Sequence, residues 1–143
     1  METINRTPEV SLREVFLVAA RRLPGLVGED HWAEAVAEAL GYLQEGFGGH
    51  YASESATDEA ILIGDRAYAW AVETIARLDE PRFVEVASRM IRDGAGEIVT
   101  GGTVPLELWT PHLAQLLGII SGEDEERSGG RIRAAVREVE RAR

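Results

Sequence analysis

Residues 57–97 decide the fold, and they read TDEAILIGDRAYAWAVETIARLDEPRFVEVASRMIRDGAGE. Two parts of this stretch carry apolar or small residues every three or four positions, which is the spacing of one helix face. In the first part these residues are Ile61, Gly64, Tyr68, Ala71, Ile75 and Leu78. In the second part they are Phe83, Ala87, Met90, Ile91, Gly94 and Ile98. The tight turn Asp79-Glu80-Pro81 between them predicts an antiparallel helical hairpin.

The flanking sequence continues the helical pattern in both directions. Thr7-Pro8 is a typical helix start, Asp30 is a candidate cap for a second helix, and the glycines at 46, 48 and 49 are expected to end that helix in a loop over 46–56. We expect Asp79 to cap the fourth helix, which extends to Val99. No stretch alternates as a strand does, so we predict an all-α fold of five to seven helices.

The C-terminal third is punctuated by proline and glycine. Thr110-Pro111 repeats the Thr-Pro start signal, and residues 122–130 form an acidic loop bounded by glycines. The last helix is predicted over 131–141. The length favours one domain over 1–143, with a basic helix of about 129–143 attached loosely because it carries few apolar residues.

Composition excludes several classes of function. The chain has no Cys and no Lys, which rules out disulfides, thiolate chemistry, Schiff bases and a P-loop lysine. The net charge is −10, so the acidic body is expected to repel nucleic acid and anionic membranes. We expect a cytoplasmic protein, because neither a signal peptide nor a membrane-spanning apolar run is evident.

Several titratable and aromatic side chains are candidate site residues. Glu29, Asp30, His31 and Glu34 gather at a helix start, which suggests a small carboxylate–metal site as one alternative. The acidic run 123–126 is expected to be a solvated loop. Five aromatic residues are each typical of a core, yet together they favour one exposed apolar patch: Trp32, Tyr68, Trp70, Phe83 and Trp109.

The segment Ile61 to Ala69 resembles the Gly-Asp helix of trans-polyprenyl diphosphate synthases. That family follows a Gly-Asp helix with a short turn and a second helix that ends near Gly-Glu. Here the two signatures are Gly64-Asp65 and Gly96-Glu97. The resemblance covers about forty residues, those of the stretch 57–97.

The chain departs from the catalytic members of that family. They hold magnesium and the substrate diphosphate with two Asp-rich motifs, whereas the corresponding helix here, 33–43, contains Glu34 and Glu38 but no Asp. The pattern is similar instead to the small, non-catalytic subunit of heterodimeric hexaprenyl- or heptaprenyl-type synthases. The resemblance implies no catalytic residue, metal or cofactor in this chain. Magnesium is expected in the large subunit, and the pathway is expected to be menaquinone side-chain synthesis.

The resemblance also implies roles for particular residues. The expected partner interface is the face with Gly64, Tyr68, Ala71 and Ile75, and the alternative is that this face belongs to the intramolecular core. The expected lining of the prenyl tail is Val36, Leu40, Tyr68 and Val72. The expected partner is a large catalytic subunit, and the isolated chain is expected to self-associate through the same patch. A helical adaptor unrelated to isoprenoids is the other class of function that the sequence leaves open.

Overall fold

The computed structural model describes residues 10–24, 30–51, 58–99 and 106–142. Six α-helices occupy these ranges: α1 (Leu12–Arg21), α2 (Asp30–Tyr51), α3 (Asp58–Ala76), α4 (Pro81–Val99), α5 (Leu106–Ser121) and α6 (Glu125–Arg141). All six contribute side chains to one apolar core. The predicted all-α class is therefore confirmed. Within the described ranges, no helix is both long and apolar enough to cross a bilayer.

Helix α1 begins later than the Thr-Pro signal predicts. Thr7 and Pro8 lie outside the described residues, and the helix begins at Leu12 with Ser11 as its cap, whose hydroxyl accepts the Glu14 N–H at 3.1 Å. Gln44 of α2 stabilises this start. Its side chain accepts the Leu12 N–H at 2.9 Å and donates to the Val10 carbonyl at 2.8 Å, so polar groups near the start of α1 bond to α2.

Helix α2 passes through the three glycines that were expected to end it. Gly46 lies at a close approach of α2 to α3, where a side chain has no room. The packing made possible there offsets the cost of a helical glycine, about 1 kcal/mol relative to alanine. The expected loop over 46–56 is therefore wrong for residues 46–51.

The predicted turn between α3 and α4 is present, but the start of α4 is capped by a different residue. Asp79 lies in the left-handed region with φ of 57°, a conformation that Asp tolerates better than most residues. The N–H of Arg82 is accepted by the Glu80 carboxylate at 3.2 Å, rather than by Asp79. Helix α3 contacts α4, but it packs far more extensively on α2.

Helix α5 does not start at Thr110-Pro111 but runs continuously across it from Leu106. Proline removes one backbone N–H from the helix. The Thr110 hydroxyl donates to the Leu106 carbonyl at 3.2 Å in this turn. Burial of Trp109, Leu113 and Leu117 keeps the segment helical, because these apolar side chains share one face against the core.

Helix α6 begins six residues before the predicted position and includes Gly129 and Gly130. Asp124 caps it by accepting the Arg127 N–H at 2.8 Å. Ile132, Ala135 and Val139 are buried in the core, at most 3% exposed. The helix is thus an integral part of the fold, in place of the loose attachment expected from its composition.

Candidate functional site

The Gly64 face of α3 lies against α2. Gly64, Ala71 and Ile75 are buried, and Tyr68 is half-buried. A Cβ atom added to Gly46 would lie 2.6 Å from Cδ1 of Tyr68 and 3.2 Å from the Gly64 carbonyl oxygen. The two helices therefore approach each other closely at Gly46 and Gly64. Of the two alternatives for this face, the burial favours the intramolecular core.

The four residues expected to line a prenyl tail lie at two depths. Val36 and Leu40 of α2 are each 1% exposed and belong to the core. Tyr68 packs edge-on against Phe47 with ring centroids 5.3 Å apart, and it is only half-buried, as is Val72. The two α3 residues are thus nearer to the surface than the two α2 residues.

The family-signature residues lie on two successive helices, Gly64-Asp65 on α3 and Gly96-Glu97 on α4. Gly64 is buried at the α2 contact, and the neighbouring Asp65 is exposed. Gly96 and Glu97 lie in the last turn of α4, and their side chains are outside the described ones.

The opposite side of α3 carries exposed apolar groups. We call Leu62, Arg66, Ala69, Trp70 and Glu73 the outer face of α3; all five are exposed. Leu62 is 64% exposed and Trp70 45%, and these are the large apolar side chains that remain exposed among the described residues. Exposed apolar side chains that share one face are typical of surfaces that bind a partner.

Neighbouring side chains hold Trp70 in place. The Arg66 guanidinium carbon lies 5.9 Å from the centre of the Trp70 ring, within the range of a cation–π contact. The Tyr42 ring of α2 packs against the Trp70 ring, with ring centroids 5.6 Å apart. The Tyr42 hydroxyl donates to Glu38 Oε1 at 3.2 Å, and this bond raises the pKa of the Tyr42 phenol.

Tyr42 also borders a groove of about 590 Å³ between α1 and α2. Arg13 and Arg21 lie on the α1 wall, and Glu34, Glu38 and Glu45 lie on the α2 wall. No ion pair joins the two walls among the described residues. Charged side chains make up most of the lining, and the groove adjoins the outer face of α3 through Tyr42.

The residues of the alternative metal site are only partly described. His31 and Glu34 are exposed on the first turns of α2, and the His31 ring packs against Trp32 at 6.2 Å. Glu29 and the side chain of Asp30 lie outside the part of the chain that the structure describes. Among described residues, no three His, Asp or Glu side chains are grouped closely enough to bind a metal.

The acidic run 123–126 is more ordered than a solvated loop. Glu123 accepts two bonds from Arg131, at 2.6 and 3.0 Å, and these bonds lower the pKa of its carboxyl group. Asp124 is the α6 cap. Glu123 and Glu125 also border a groove of about 370 Å³ between α4, α5 and α6, where Arg89 donates to Gln115 at 3.0 Å.

One partly buried polar pair lies next to the aromatic side chains of the core. His112 is 8% exposed, and its Nε2 hydrogen-bonds Asp93 Oδ2 at 2.9 Å. Trp109 lies next to it and stacks on Phe47 with centroids 4.8 Å apart. The bond joins α4 to α5, and it gives the buried His112 a partner at the edge of the core.

The sequence reasoning missed the outer face because it followed the Gly64 spacing. Leu62 and Trp70 are outside that set, and Trp70 was grouped with core aromatics. Positions 62, 66, 69 and 73 have the same helical spacing on the other side of α3. This second set is the sequence signal that could have indicated the outer face. Trp109 and Phe83 are buried as expected, whereas Trp70 forms the exposed patch.

Comparisons with models of protein families, with curated proteins and with solved structures find no match to this chain.

Proposed function

We propose that this chain is a non-catalytic subunit of a medium- or long-chain prenyl diphosphate synthase, and that it binds a large catalytic subunit through the outer face of α3. The observation that carries the proposal is the exposure of Leu62 and Trp70 on one helix face, beside a well-packed core. Aromatic anchors of this kind dominate the binding energy of helical interfaces. The Gly-Asp resemblance of the same helix supports the choice of partner.

In this proposal the large subunit binds magnesium and the diphosphate, and the small subunit supplies an apolar wall. Chain length depends on where a growing apolar tail meets such a wall, so no reactive group is needed here. Tyr68 and Val72, half-buried on α3, are the more accessible of the four tail candidates. The pair would act in the cytoplasm, in the synthesis of menaquinone side chains.

The direct test is co-purification with a candidate large subunit, followed by a prenyl-transfer assay. The purified chain alone is expected to give no turnover with isopentenyl and allylic diphosphates, and the pair is expected to be active. Trp70→Ala should weaken assembly about tenfold or more, since a central aromatic anchor contributes more than 1.4 kcal/mol. Arg133→Ala on the exposed surface of α6 is the matched control. Turnover by the single chain, or unchanged assembly of Trp70→Ala, would contradict the proposal.

The second candidate, a helical adaptor unrelated to isoprenoids, is favoured by one observation. Val36 and Leu40 lie sealed in the core at 1% exposure, so a tail would reach them only after α2 is displaced. An adaptor needs only the outer face of α3. Failure to bind any prenyl synthase large subunit, together with a crosslink from position 70 to an identified helical partner of another class, would favour the adaptor.

A further inference from the structure

A line of exposed apolar residues at regular spacing runs along the outer face of α3 and continues to Ala76. Leu62, Ala69 and Ala76 follow one another at seven-residue intervals and are all exposed. Seven residues are nearly two turns, so these side chains lie along one line of the helix. Two of the three are alanines, which let a second helix approach within the usual 8–10 Å between axes. Trp70 lies beside the centre of the line.

The charges on this face are arranged symmetrically about its centre. Arg66 and Glu73 lie at equal distances on either side of the midpoint between Ala69 and Trp70. A second α3 laid antiparallel across that midpoint brings Arg66 opposite Glu73 of the second copy, and the reverse pair forms at the same time. A parallel arrangement would instead bring arginine opposite arginine and glutamate opposite glutamate, which is unfavourable.

We propose that the chain forms a two-fold symmetric homodimer through antiparallel pairing of the outer faces of two α3 helices. The contact is isologous, because one self-complementary patch serves both copies. Trp70 and Leu62 are the apolar anchors, and Tyr42 extends the patch on the α2 side. Arg66 and Glu73 set the direction and the register of the two helices.

The existing intrachain contacts are compatible with this pairing. Arg66 already lies over Trp70, so its guanidinium is held at the face that the second copy covers. Glu73 accepts a bond from Arg77 at 2.6 Å, and the carboxylate has further acceptor positions for Arg66 of the second copy. The Arg77 side chain would lie opposite Leu62 of the second copy, where its aliphatic stem covers apolar surface.

The homodimer goes beyond the proposed function, since it requires no large subunit. A second copy of the chain and the large subunit would compete for the outer face of α3. A chain that remains monomeric but binds a large subunit would overturn the homodimer alone. A chain that dimerises but binds no large subunit would overturn the proposed function alone.

The test uses two charge reversals, Arg66→Glu and Glu73→Arg, in the full chain. Sedimentation equilibrium across a dilution series measures the dimer dissociation constant. Each variant alone places like charges opposite each other twice, so we expect its dimer to weaken about tenfold or more. An equimolar mixture of the two variants restores both opposite-charge pairs, and we expect a one-to-one heterodimer with nearly the original dissociation constant.

A matched pair of controls lies on α6. Arg133→Glu and Glu140→Arg make the same charge changes on exposed residues, and these should leave the dimer unchanged both alone and mixed. Circular dichroism checks that all four variants fold. A monomeric parent chain, undiminished dimers of both α3 variants, or no heterodimer in their mixture would each overturn the antiparallel pairing.

Discussion

At the scale of single residues, Gly46 sets how closely α2 approaches α3. A Cβ atom at this position would clash with the Tyr68 ring and lie 3.2 Å from the Gly64 carbonyl oxygen, both on α3. A similar contact occurs at Gly94 of α4, where an added Cβ would lie 2.8 Å from Cζ of Phe47. Small residues at these positions place the aromatic cluster of Phe47, Tyr68 and Trp109 between the helices.

Bulk on the inner side of α3 should destabilise the isolated chain. Gly64→Leu and Ala71→Trp overpack a buried helix contact, so each is expected to cost roughly 1–3 kcal/mol and to lower the thermal midpoint. Ser88→Trp places a tryptophan on an exposed position of α4, away from the outer face of α3, and it should alter stability by no more than about 0.5 kcal/mol. Thermal unfolding followed by circular dichroism measures this. If both inner variants unfold at the temperature of the parent chain, the close α2–α3 packing is refuted.

The His112–Asp93 bond should contribute to stability through its acceptor. Asp93→Ala leaves the buried imidazole without its partner, which costs about 1–3 kcal/mol for an unsatisfied buried donor. Asp93→Asn keeps a carbonyl oxygen that can accept the Nε2–H, so its loss should be clearly smaller. Urea unfolding of the three chains at one pH gives the comparison. If Asp93→Ala and Asp93→Asn lose equal free energy of unfolding, the charge of the Asp93 carboxylate matters here and the hydrogen bond does not.

At the scale of elements, α6 is fastened at its start by the acidic run that precedes it. Asp124 caps the helix, and Glu123 holds Arg131 two turns along. These bonds explain why the helix begins at Glu125, even though Gly129 and Gly130 follow. Hydrogen bonds at the first turns and the burial of Ile132 outweigh the low helix propensity of two glycines.

The Glu123–Arg131 contact should make stability depend on acidity. The bonds from Arg131 lower the pKa of Glu123 in the folded chain, below its ordinary value of 4.5. Its contribution is therefore complete above that value and is lost as the pH falls towards the lowered folded pKa. Glu123→Gln should be less stable than the parent at neutral pH and should lose less stability on acidification.

Denaturant midpoints across an acid series give this comparison. Glu107→Gln, which removes an exposed carboxylate of α5, is the control and should follow the parent curve. Parallel curves for Glu123→Gln and the parent would show that the ion pair does not contribute.

At the scale of the whole molecule, α3 has one packed face and one exposed face. Its inner face packs on α2 in the common core, and its outer face presents Leu62 and Trp70. A helix packed on one side only is a ready site for helix-to-helix assembly, because the exposed apolar surface is already ordered. Both the proposed large subunit and the second copy would use that surface.

Product length in a reconstituted pair tests the wall that the small subunit would supply. Val72→Trp, on the half-buried side of α3, should shorten the prenyl product, while the diphosphate affinity of the pair should barely change. Val36→Trp and Leu40→Trp should act mainly by destabilising the core, since both sites are closed. Product chromatography and substrate titration separate these effects. If bulky residues at all four sites, including Tyr68, leave the product distribution unchanged, the subunit acts through the stability of its partner alone.

The sequence by itself determined the helical class, the α3–α4 turn and the buried spacing of α3. Those features depend on local periodicity and on residues near one another in the chain, as with Ala71 and Ile75. Only the tertiary structure decided that α2 continues through Gly46, that α5 continues through Pro111 and that Glu123 binds Arg131. The first two depend on packing against residues far away in the chain, which outweighs the local preference of glycine or proline. The third depends on the start of α6, which brings Arg131 back to Glu123. The same holds for the two faces of α3: periodicity predicts a buried face, but only the position of α2 determines which face it covers and leaves Trp70 exposed.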